Sequence, residues 1–177
     1  ATEGNNEPTQ NFYESYNIDD LRRDVSIGQL ADGRIYCKKF VKKPVLPNQS
    51  NANFVVLRYT DVLLMYAEAL NEISYSSSGD AIKYLNEVRQ RAGLQVCTSQ
   101  QITGQDEFRN LIWDERRYEF AFENQRWFDL LRSGKAVEVM NKSSNGDFVV
   151  EPYQLLFPIP QNQIDIAPDV MKQNDDY

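Results

Sequence analysis

Apolar residues recur at helical spacing through the middle of the chain. From Arg58 to Ile73 they fall three or four positions apart, a period typical of an amphipathic helix. A second helix is predicted from Asp80 to Ala92, with Gly93 as its C-terminal stop. Because only a short polar stretch separates them, the two helices are predicted to form an antiparallel hairpin. The positions predicted to face inward are Val62, Met65, Tyr66, Ala69, Leu70 and Ile73 in the first helix and Ile82, Leu85, Val88 and Ala92 in the second.

A third helix is predicted to begin near Asp106 and to continue into the densest stretch of the chain, E-R-R-Y-E-F-A-F-E-N-Q-R-W-F-D-L-L-R from Glu115 to Arg132. Asn124 and Gln125 are predicted to interrupt it before a short helix that Gly134 ends. The glutamates of this stretch recur every fourth residue, so they form one ridge on a helix. That ridge consists of Glu115, Glu119 and Glu123.

Arginines three positions from the carboxylates, such as Arg116 and Arg126, are predicted to neutralise this ridge from the same helix surface. Phe120, Trp127 and Leu131 form a separate apolar stripe. Trp127 is therefore predicted to be a core residue, and Trp113, beside Leu111 and Ile112, is assigned to the core on the same grounds.

The remaining segments carry weaker patterns. Between Ile35 and Val45, apolar residues alternate imperfectly with lysines, which predicts an extended, lysine-solvated edge that Pro44 and Pro47 end. Leu155 to Pro160 is predicted to be extended as well. We expect residues 1–18 to be a flexible or anchoring lead and residues 19–177 to be one helical domain. The predicted fold class is mainly α: stacked antiparallel helical hairpins, tetratricopeptide-like, with long loops and little strand.

Composition excludes several kinds of site. With 19 basic and 26 acidic residues, the net charge of −7 argues against binding to nucleic acid or to an anionic membrane. There is no histidine, which removes the commonest general base and metal ligand. Cys37 and Cys97 are too far apart in sequence for a metal-binding pattern. We therefore expect no metal and no cofactor, and no apolar run approaches the roughly 20 residues that a bilayer-spanning helix needs.

The glutamate ridge also raises the possibility of a glycosidase, whose chemistry requires two carboxylates. A general acid of that kind needs a raised pKa, whereas neighbouring arginines lower the pKa of a carboxyl group. We therefore predict that the chain is not an enzyme, and we assign no catalytic residue.

Three stretches together resemble the RagB/SusD family, the surface glycan-binding lipoproteins of Bacteroidetes outer membranes. They are the run beginning E-R-R-Y-E-F, the run R-Y-T-D-V-L-L-M-Y-A-E-A-L-N-E from Arg58, and L-L-F-P-I-P-Q-N-Q-I-D from Leu155 with the terminal K-Q-N-D-D-Y. D-D-L-R-R-D from Asp19 is similar to the family's arginine-paired turn. The residues that match the family signature do so as scaffold: Glu115, Arg117, Glu119, Glu123, Arg126, Trp127 and Asp129.

This resemblance implies the carboxy-terminal region of a SusD-like protein, with residues 19–177 as its helical domain. It further implies non-catalytic capture of oligo- or polysaccharide at the cell surface for nutrient uptake. The implied partner is a SusC-like TonB-dependent outer-membrane transporter, and the lipid anchor is expected outside this chain. Family glycan contacts lie mainly on variable loops, so the resemblance assigns no glycan-binding residue, and we expect such a fragment to bind glycan weakly or not at all. The alternative interpretation is a helical-repeat module for protein–protein interaction.

Overall fold

The computed structural model describes residues 7–42, 46, 52–144 and 146–177. Over these residues the chain forms eight α-helices, one short 3-10 helix and a single antiparallel pair of strands, which confirms the predicted mainly α fold class. The α-helices are α1 (Gln10–Glu14), α2 (Arg22–Ser26), α3 (Tyr59–Ile73), α4 (Asp80–Arg91), α5 (Gln105–Glu119), α6 (Arg126–Arg132), α7 (Ala136–Ser143) and α8 (Gln161–Ile166). The strands are β1 (Ile27–Gln29) and β2 (Ile35–Cys37), and the 3-10 helix is Pro152–Leu155.

The chain divides into two compact units, residues 1–125 and residues 126–177. The first contains α1 to α5 and the strand pair, and the second contains α6 to α8. The predicted boundary after residue 18 stays a prediction. No helix in the part of the chain that the structure describes is both long and apolar enough to cross a membrane.

The hairpin of α3 and α4 forms where the apolar periodicity predicted it, and α5 packs against both helices. Gly93 follows α4 with φ of 80°, the left-handed conformation that ends a helix at low cost for glycine. All four residues predicted to face inward from the second helix are buried. The larger apolar cluster of this unit consists of Leu64, Ala67, Ala81, Ile82, Leu85, Val88, Ile102, Phe108, Ile112 and Phe120, and a smaller one consists of Tyr16, Ile27 and Ile35.

The inward face predicted for α3 is wrong. Val62, Met65, Tyr66, Ala69 and Ile73 are exposed, and only Leu70 of the predicted set packs partly against the core. The buried positions are instead Asp61, Leu64, Ala67 and Asn71. The reason is that two polar residues on this face find partners inside the unit.

Both partnerships are with α5. Asp61 accepts a hydrogen bond from Arg116 Nη1 over 2.6 Å, and Asn71 Nδ2 donates to the backbone oxygen of Gln105 over 3.0 Å. Leu64 and Ala67 lie between these two contacts on the same helix face. Polar pairing thus accompanies burial of this side of α3, because hydrogen bonds offset the cost of burying Asp61 and the Nδ2 of Asn71. Asn71 Oδ1 is buried without a partner among the described residues.

The third helix ends earlier than predicted. α5 stops at Glu119, and residues 120–124 form a turn in which Phe122 and Asn124 have φ of 67° and 60°. Glu123 therefore lies on this turn and not on the helix that carries Glu115. The predicted short helix is α6, and Gly134 follows it with φ of 69°.

The segment predicted as a lysine-solvated edge is only partly extended. β2 pairs with β1 in the register Ile27↔Cys37, Gly28↔Tyr36 and Gln29↔Ile35, and a turn follows it. Lys39 is not solvated: its side chain is 20% exposed, and its Nζ donates to the backbone oxygens of Glu119 and Ala121 over 2.8 and 3.2 Å. The predicted stops Pro44 and Pro47 lie outside the described residues.

In the second unit, α6 packs against α7. Of the predicted extended tail, Leu155 ends the 3-10 helix Pro152–Leu155, Leu156 is extended with φ of −100° and ψ of 135°, and residues 157–160 belong to no helix or strand. The terminal residues hold this stretch in place. Gln173 Oε1 accepts from Ile159 N over 2.8 Å, Asn174 Nδ2 donates to Phe157 O over 2.9 Å, and Tyr177 Oη donates to Leu156 O over 2.8 Å.

Candidate functional site

Glu119, at the end of α5, is the centre of a buried ion-pair network. Its side chain is 2% exposed. It accepts from Arg22 Nη1 over 3.0 Å and from Arg58 Nη1 over 2.6 Å, and it also pairs with Arg91. These cations come from α2, from the residue before α3 and from the end of α4, so one carboxylate ties four parts of the unit together.

The other two glutamates of the predicted ridge extend this network. Glu115 accepts from Arg22 Nη1 over 2.6 Å and from Arg89 Nη1 over 3.0 Å. Glu123 accepts from Arg58 Nε over 2.8 Å and from Lys39 Nζ over 2.5 Å. The structure therefore brings the three predicted glutamates together, with Glu123 reaching the network from the turn after the helix.

The prediction that arginines on the same helix neutralise the ridge is corrected by these contacts. The cations that bind it come from other elements, while Arg116 Nη1 donates to the buried carboxylate of Asp61 on α3. An exposed pair along one helix surface gains little, whereas a buried carboxylate requires cations that are buried with it. The folding of α2, α3 and α4 around α5 brings those cations in.

Hydrogen bonding favours the ionised forms of Glu119 and Arg22. Burial alone would raise the pKa of Glu119, but the hydrogen bond and positive charge of Arg58, together with the hydrogen bond from Arg22, lower it below its ordinary value. Burial would likewise lower the pKa of Arg22, but its hydrogen bond to Asp20 and the charge of Glu115 raise it overall. A lowered carboxyl pKa is the opposite of what a general acid requires.

The remaining signature residues lie elsewhere. The guanidinium of Arg117 lies 5.1 Å from the ring centre of Phe12 and 5.7 Å from that of Tyr118, in cation–π geometry. Arg126, Trp127 and Asp129 belong to α6 in the second unit. There, Asp129 is buried and accepts from Arg132 Nε over 2.8 Å.

The two tryptophans are half-buried, although the sequence predicted core positions for both. Trp113 Nε1 donates to Glu68 Oε1 over 2.9 Å. Trp127 Nε1 is enclosed but has no hydrogen-bond partner among the described residues. An indole has one polar atom, and keeping part of the ring near the surface is a common compromise for so large a side chain.

Sequence reasoning missed most of the cations of the network. The signal that could have found them is the need of three buried carboxylates for several buried cations, combined with the position of arginines at the ends of other helices. Arg22 and Arg58 lay in stretches that resemble the family, the turn beginning at Asp19 and the run beginning at Arg58, but neither was predicted to bind the glutamates. The missed residues are Lys39, Arg58, Arg89 and Arg91.

One cavity of about 400 Å³ opens onto this network, between α2, the turn after α5 and Arg58. Its charged lining is largely committed to internal contacts. Arg58 donates to Glu119, to its backbone oxygen and to Glu123. Lys39 has its three donors on Glu123 and two backbone oxygens. The cavity is thus the outer surface of a structural network.

A different cavity, of about 610 Å³, lies along α5 beside the loop that connects α4 to α5. A smaller cavity of about 270 Å³ shares five of its lining residues: Asn17, Arg89, Leu94, Leu111 and Asp114. Because of this shared lining, we treat the two as one depression and call it the α5 cleft. Unlike the cavity at the ion-pair network, it is lined mainly by amides, carboxylates and aliphatic side chains.

A helical unit held by buried arginine–glutamate pairs, with a polar cleft beside its central helix, defines a binding scaffold. The chain belongs to the SusD family, whose sequence pattern it matches over residues 2–177. Members of that family are binding proteins rather than enzymes.

Among curated proteins, the chain is similar to SusD-like protein P2 of Formosa agariphila, with 30% identity over an alignment 208 residues long. The match includes 96% of this chain and 40% of the relative. SusD-like protein P38 of the same organism is 37% identical over 108 residues, covering 58% of this chain and 21% of the relative. The chain thus spans well under half the length of the curated relatives it matches.

Solved structures give the same result. A SusD superfamily protein from Parabacteroides distasonis matches with a TM-score of 0.79 and 31% identity, over 97% of this chain and 42% of that one. Surface glycan-binding protein A from Bacteroides uniformis matches with a TM-score of 0.80 and 27% identity, over 94% of this chain and 40% of that one.

Proposed function

We propose that this chain is part of a SusD-type protein that captures oligo- or polysaccharide at the cell surface for nutrient uptake, without catalysis. The observation that carries the proposal is the likeness to surface glycan-binding protein A, which extends over 94% of the chain with a TM-score of 0.80. Membership in a family of binding proteins supports the non-catalytic part.

In this proposal the signature residues serve as scaffold. Glu115, Glu119 and Glu123 hold α2, the start of α3, α4 and the segment after β2 around α5. A surface that recognises a sugar needs loops of fixed geometry, and such a network fixes the elements from which the loops extend. These glutamates are accordingly assigned to positioning and not to glycan contact.

The proposed partner is a SusC-like TonB-dependent outer-membrane transporter, and the proposed location is the outer face of the outer membrane, through a lipid anchor outside this chain. Both follow from family membership. Affinity purification of the complete polypeptide from native membranes tests them. Recovery of a TonB-dependent transporter in the same complex is expected, and its absence after gentle detergent extraction would count against the partner.

Gel retardation of the complete polypeptide on a panel of soluble polysaccharides tests glycan capture. We expect retardation by at least one polysaccharide, with no release of reducing ends during long incubation. Bovine serum albumin in the same gels controls for sieving. Unchanged mobility on every polysaccharide would refute the binding function, whereas release of reducing ends would refute the non-catalytic part alone.

A further inference from the structure

The α5 cleft follows one face of its helix. Glu107, Leu111 and Asp114 line the larger cavity, and Asp114 and Tyr118 line the smaller one. From Glu107 to Tyr118 there are eleven helical steps, which correspond to about 16 Å at the usual rise per residue. The depression is therefore elongated, and it can hold more than one ring of a chain-like ligand.

We propose that the α5 cleft is a subsite for a neutral oligosaccharide. This inference rests on the proposed function and adds to it the site and the charge class of the glycan.

The chemistry of the lining suits a sugar. Asp19, Gln95 and Asp114 make no side-chain hydrogen bond to other groups in the described part of the chain, and Gln101 uses only its Oε1, as an acceptor for Thr98. Amides both donate and accept, and carboxylates accept, so together they can satisfy the hydroxyl groups of a sugar. Leu94 and Leu111 add the aliphatic surface against which C–H groups pack.

The charge of the cleft selects against acidic sugars. Asp19, Glu107 and Asp114 contribute three carboxylates in the larger cavity, and Asp20 and Glu115, which line the smaller one, are paired with Arg22. Arg89, the one cation among the described residues that line the cleft, already donates to Glu115 Oε2 over 3.0 Å and to the backbone oxygen of Gln95 over 3.1 Å. A uronate or sulfate group would therefore meet net negative charge, whereas a neutral sugar meets only hydrogen-bond partners.

One wall of the cleft, the loop between α4 and α5, is held in place by side chains from elements beneath it. The Asn86 side chain forms two hydrogen bonds with the backbone of Cys97: Asn86 Nδ2 donates to Cys97 O over 2.9 Å, and Cys97 N donates to Asn86 Oδ1 over 2.8 Å. Tyr75 Oη donates to Ile102 O over 2.7 Å. A loop already fixed in this way loses little conformational entropy when a ligand binds.

A second wall of the cleft, Asn17 to Asp20, belongs to a segment that is fixed against the end of α4. Leu21 N donates to Ala92 O over 3.0 Å, and Asn17 Oδ1 accepts from Asp19 N over 2.9 Å. At Gly93 a Cβ atom would lie only 3.2 Å from Asp19 O. The end of α4 and Asn86 within it thus contact both of these lining segments.

NMR of the 15N-labelled chain tests the inference with maltohexaose, cellohexaose, xylohexaose and mannohexaose as neutral probes and a galacturonate hexamer as the acidic probe. At least one neutral probe is expected to shift the side-chain amide signals of Gln95 and Gln101, saturating in the millimolar range of a single subsite. The galacturonate hexamer is expected to shift neither signal.

Two double variants locate the site. Gln101→Ala with Asp114→Ala is expected to weaken binding of the active probe at least tenfold. Gln161→Ala with Asp165→Ala removes the same two residue types from α8, where they bind each other over 2.8 Å, and is expected to leave binding unchanged. Circular dichroism of each variant confirms that the helices are retained.

The outcomes separate the inference from the proposed function. If a probe binds the cleft variant as well as the parent, or if only the acidic probe binds, the inference is overturned and glycan capture stands. The inference is likewise overturned if the complete polypeptide binds a neutral glycan and its double variant Gln101→Ala with Asp114→Ala binds that glycan equally well. If the complete polypeptide binds no glycan at all, both fail.

Discussion

Arg58 closes the carboxyl end of α5 from a position 61 residues away in sequence. Its Nη1 donates to Glu119 Oε1 over 2.6 Å and its Nη2 donates to Glu119 O over 2.8 Å. The guanidinium also lies 4.6 Å from the ring centre of Phe120. One cation thus binds a buried carboxylate, a terminal carbonyl of the helix and an aromatic face, all of which favour positive charge at this place.

Arg58→Ala is therefore expected to lower the free energy of unfolding by about 3 kcal/mol. This is the lower end of the range for breaking a buried ion pair, because Arg22 and Lys39 still bind the glutamates that remain. Urea unfolding followed by circular dichroism measures the loss.

Arg34→Ala is the matched control, since Arg34 forms an exposed pair with Asp32, with side chains 67% and 54% exposed. A loss below about 1 kcal/mol is expected there. Equal losses in the two variants would show that burial of the Arg58 pair adds nothing.

The stability of the chain should fall in acid. The folded state lowers the pKa of Glu119 below its ordinary value of 4.5, so the unfolded chain binds more protons in this range. Stability contributed by Glu119 is complete above about pH 5 and is lost as pH falls through the folded-state pKa. Urea midpoints measured between pH 7 and pH 3 should therefore decrease on the acid side.

Glu119→Gln should flatten that decrease, although it also lowers stability at pH 7. Glu14→Gln is the control, because Glu14 is an exposed residue that accepts from Gln10 on the same short helix. A parental pH profile in Glu119→Gln would mean that other carboxylates are responsible for the acid sensitivity.

The sequence predicts the helical hairpin well because helix periodicity is a local property. Apolar spacing and a terminal glycine were sufficient to place α3 and α4 almost to the residue. The same local pattern failed for the buried face of α3, where hydrophobicity favoured Met65 and pairing with α5 buried Asp61 instead. That choice depends on a contact 55 residues away, which no local pattern contains.

The candidate site was likewise predictable from the sequence only in part. The three glutamates could be recognised from their spacing and from the family signature, but that spacing does not identify their cations, since these come from separate elements. The end of α5 at Glu119 was also missed, because Phe122 adopts a positive φ that its residue type does not signal. Its ring packs at 6.2 Å from that of Phe12, and this tertiary contact helps to hold the unusual backbone.

Leu64 and Met65 offer a direct test of which face of α3 is buried. Leu64 is fully buried, whereas Met65 is 44% exposed. Leu64→Ala is expected to cost about 2 to 5 kcal/mol through the cavity it leaves. Met65→Ala should cost less than about 1 kcal/mol, since alanine favours helix and little packing is lost. Denaturant unfolding of both variants measures these losses. A larger loss for Met65→Ala would show that the face of α3 that carries Met65 is the buried one.

The last prediction concerns Gly93, which combines a left-handed backbone with close contact to the wall of the α5 cleft. Its φ is 80°, and a Cβ atom would lie 2.9 Å from Leu21 Cγ and 3.2 Å from Asp19 O. Gly93→Ala therefore strains the backbone. It also displaces the segment from Asp19 to Leu21, which is hydrogen-bonded to Ala92. We expect a loss of roughly 2 to 4 kcal/mol in the free energy of unfolding, the sum of the cost of left-handed alanine and of overpacking.

Gly33→Ala separates the two causes, because Gly33 has φ of 88° but no atom of the described residues within 4 Å of its added Cβ. It should show the backbone cost alone, about 1 to 2 kcal/mol. Gly93→Ala should in addition shift the NMR signals of Asn17 and Asp19, because the displaced segment forms one wall of the cleft. If the two variants lose the same stability and those signals stay in place, the close approach at Gly93 does not fix that wall.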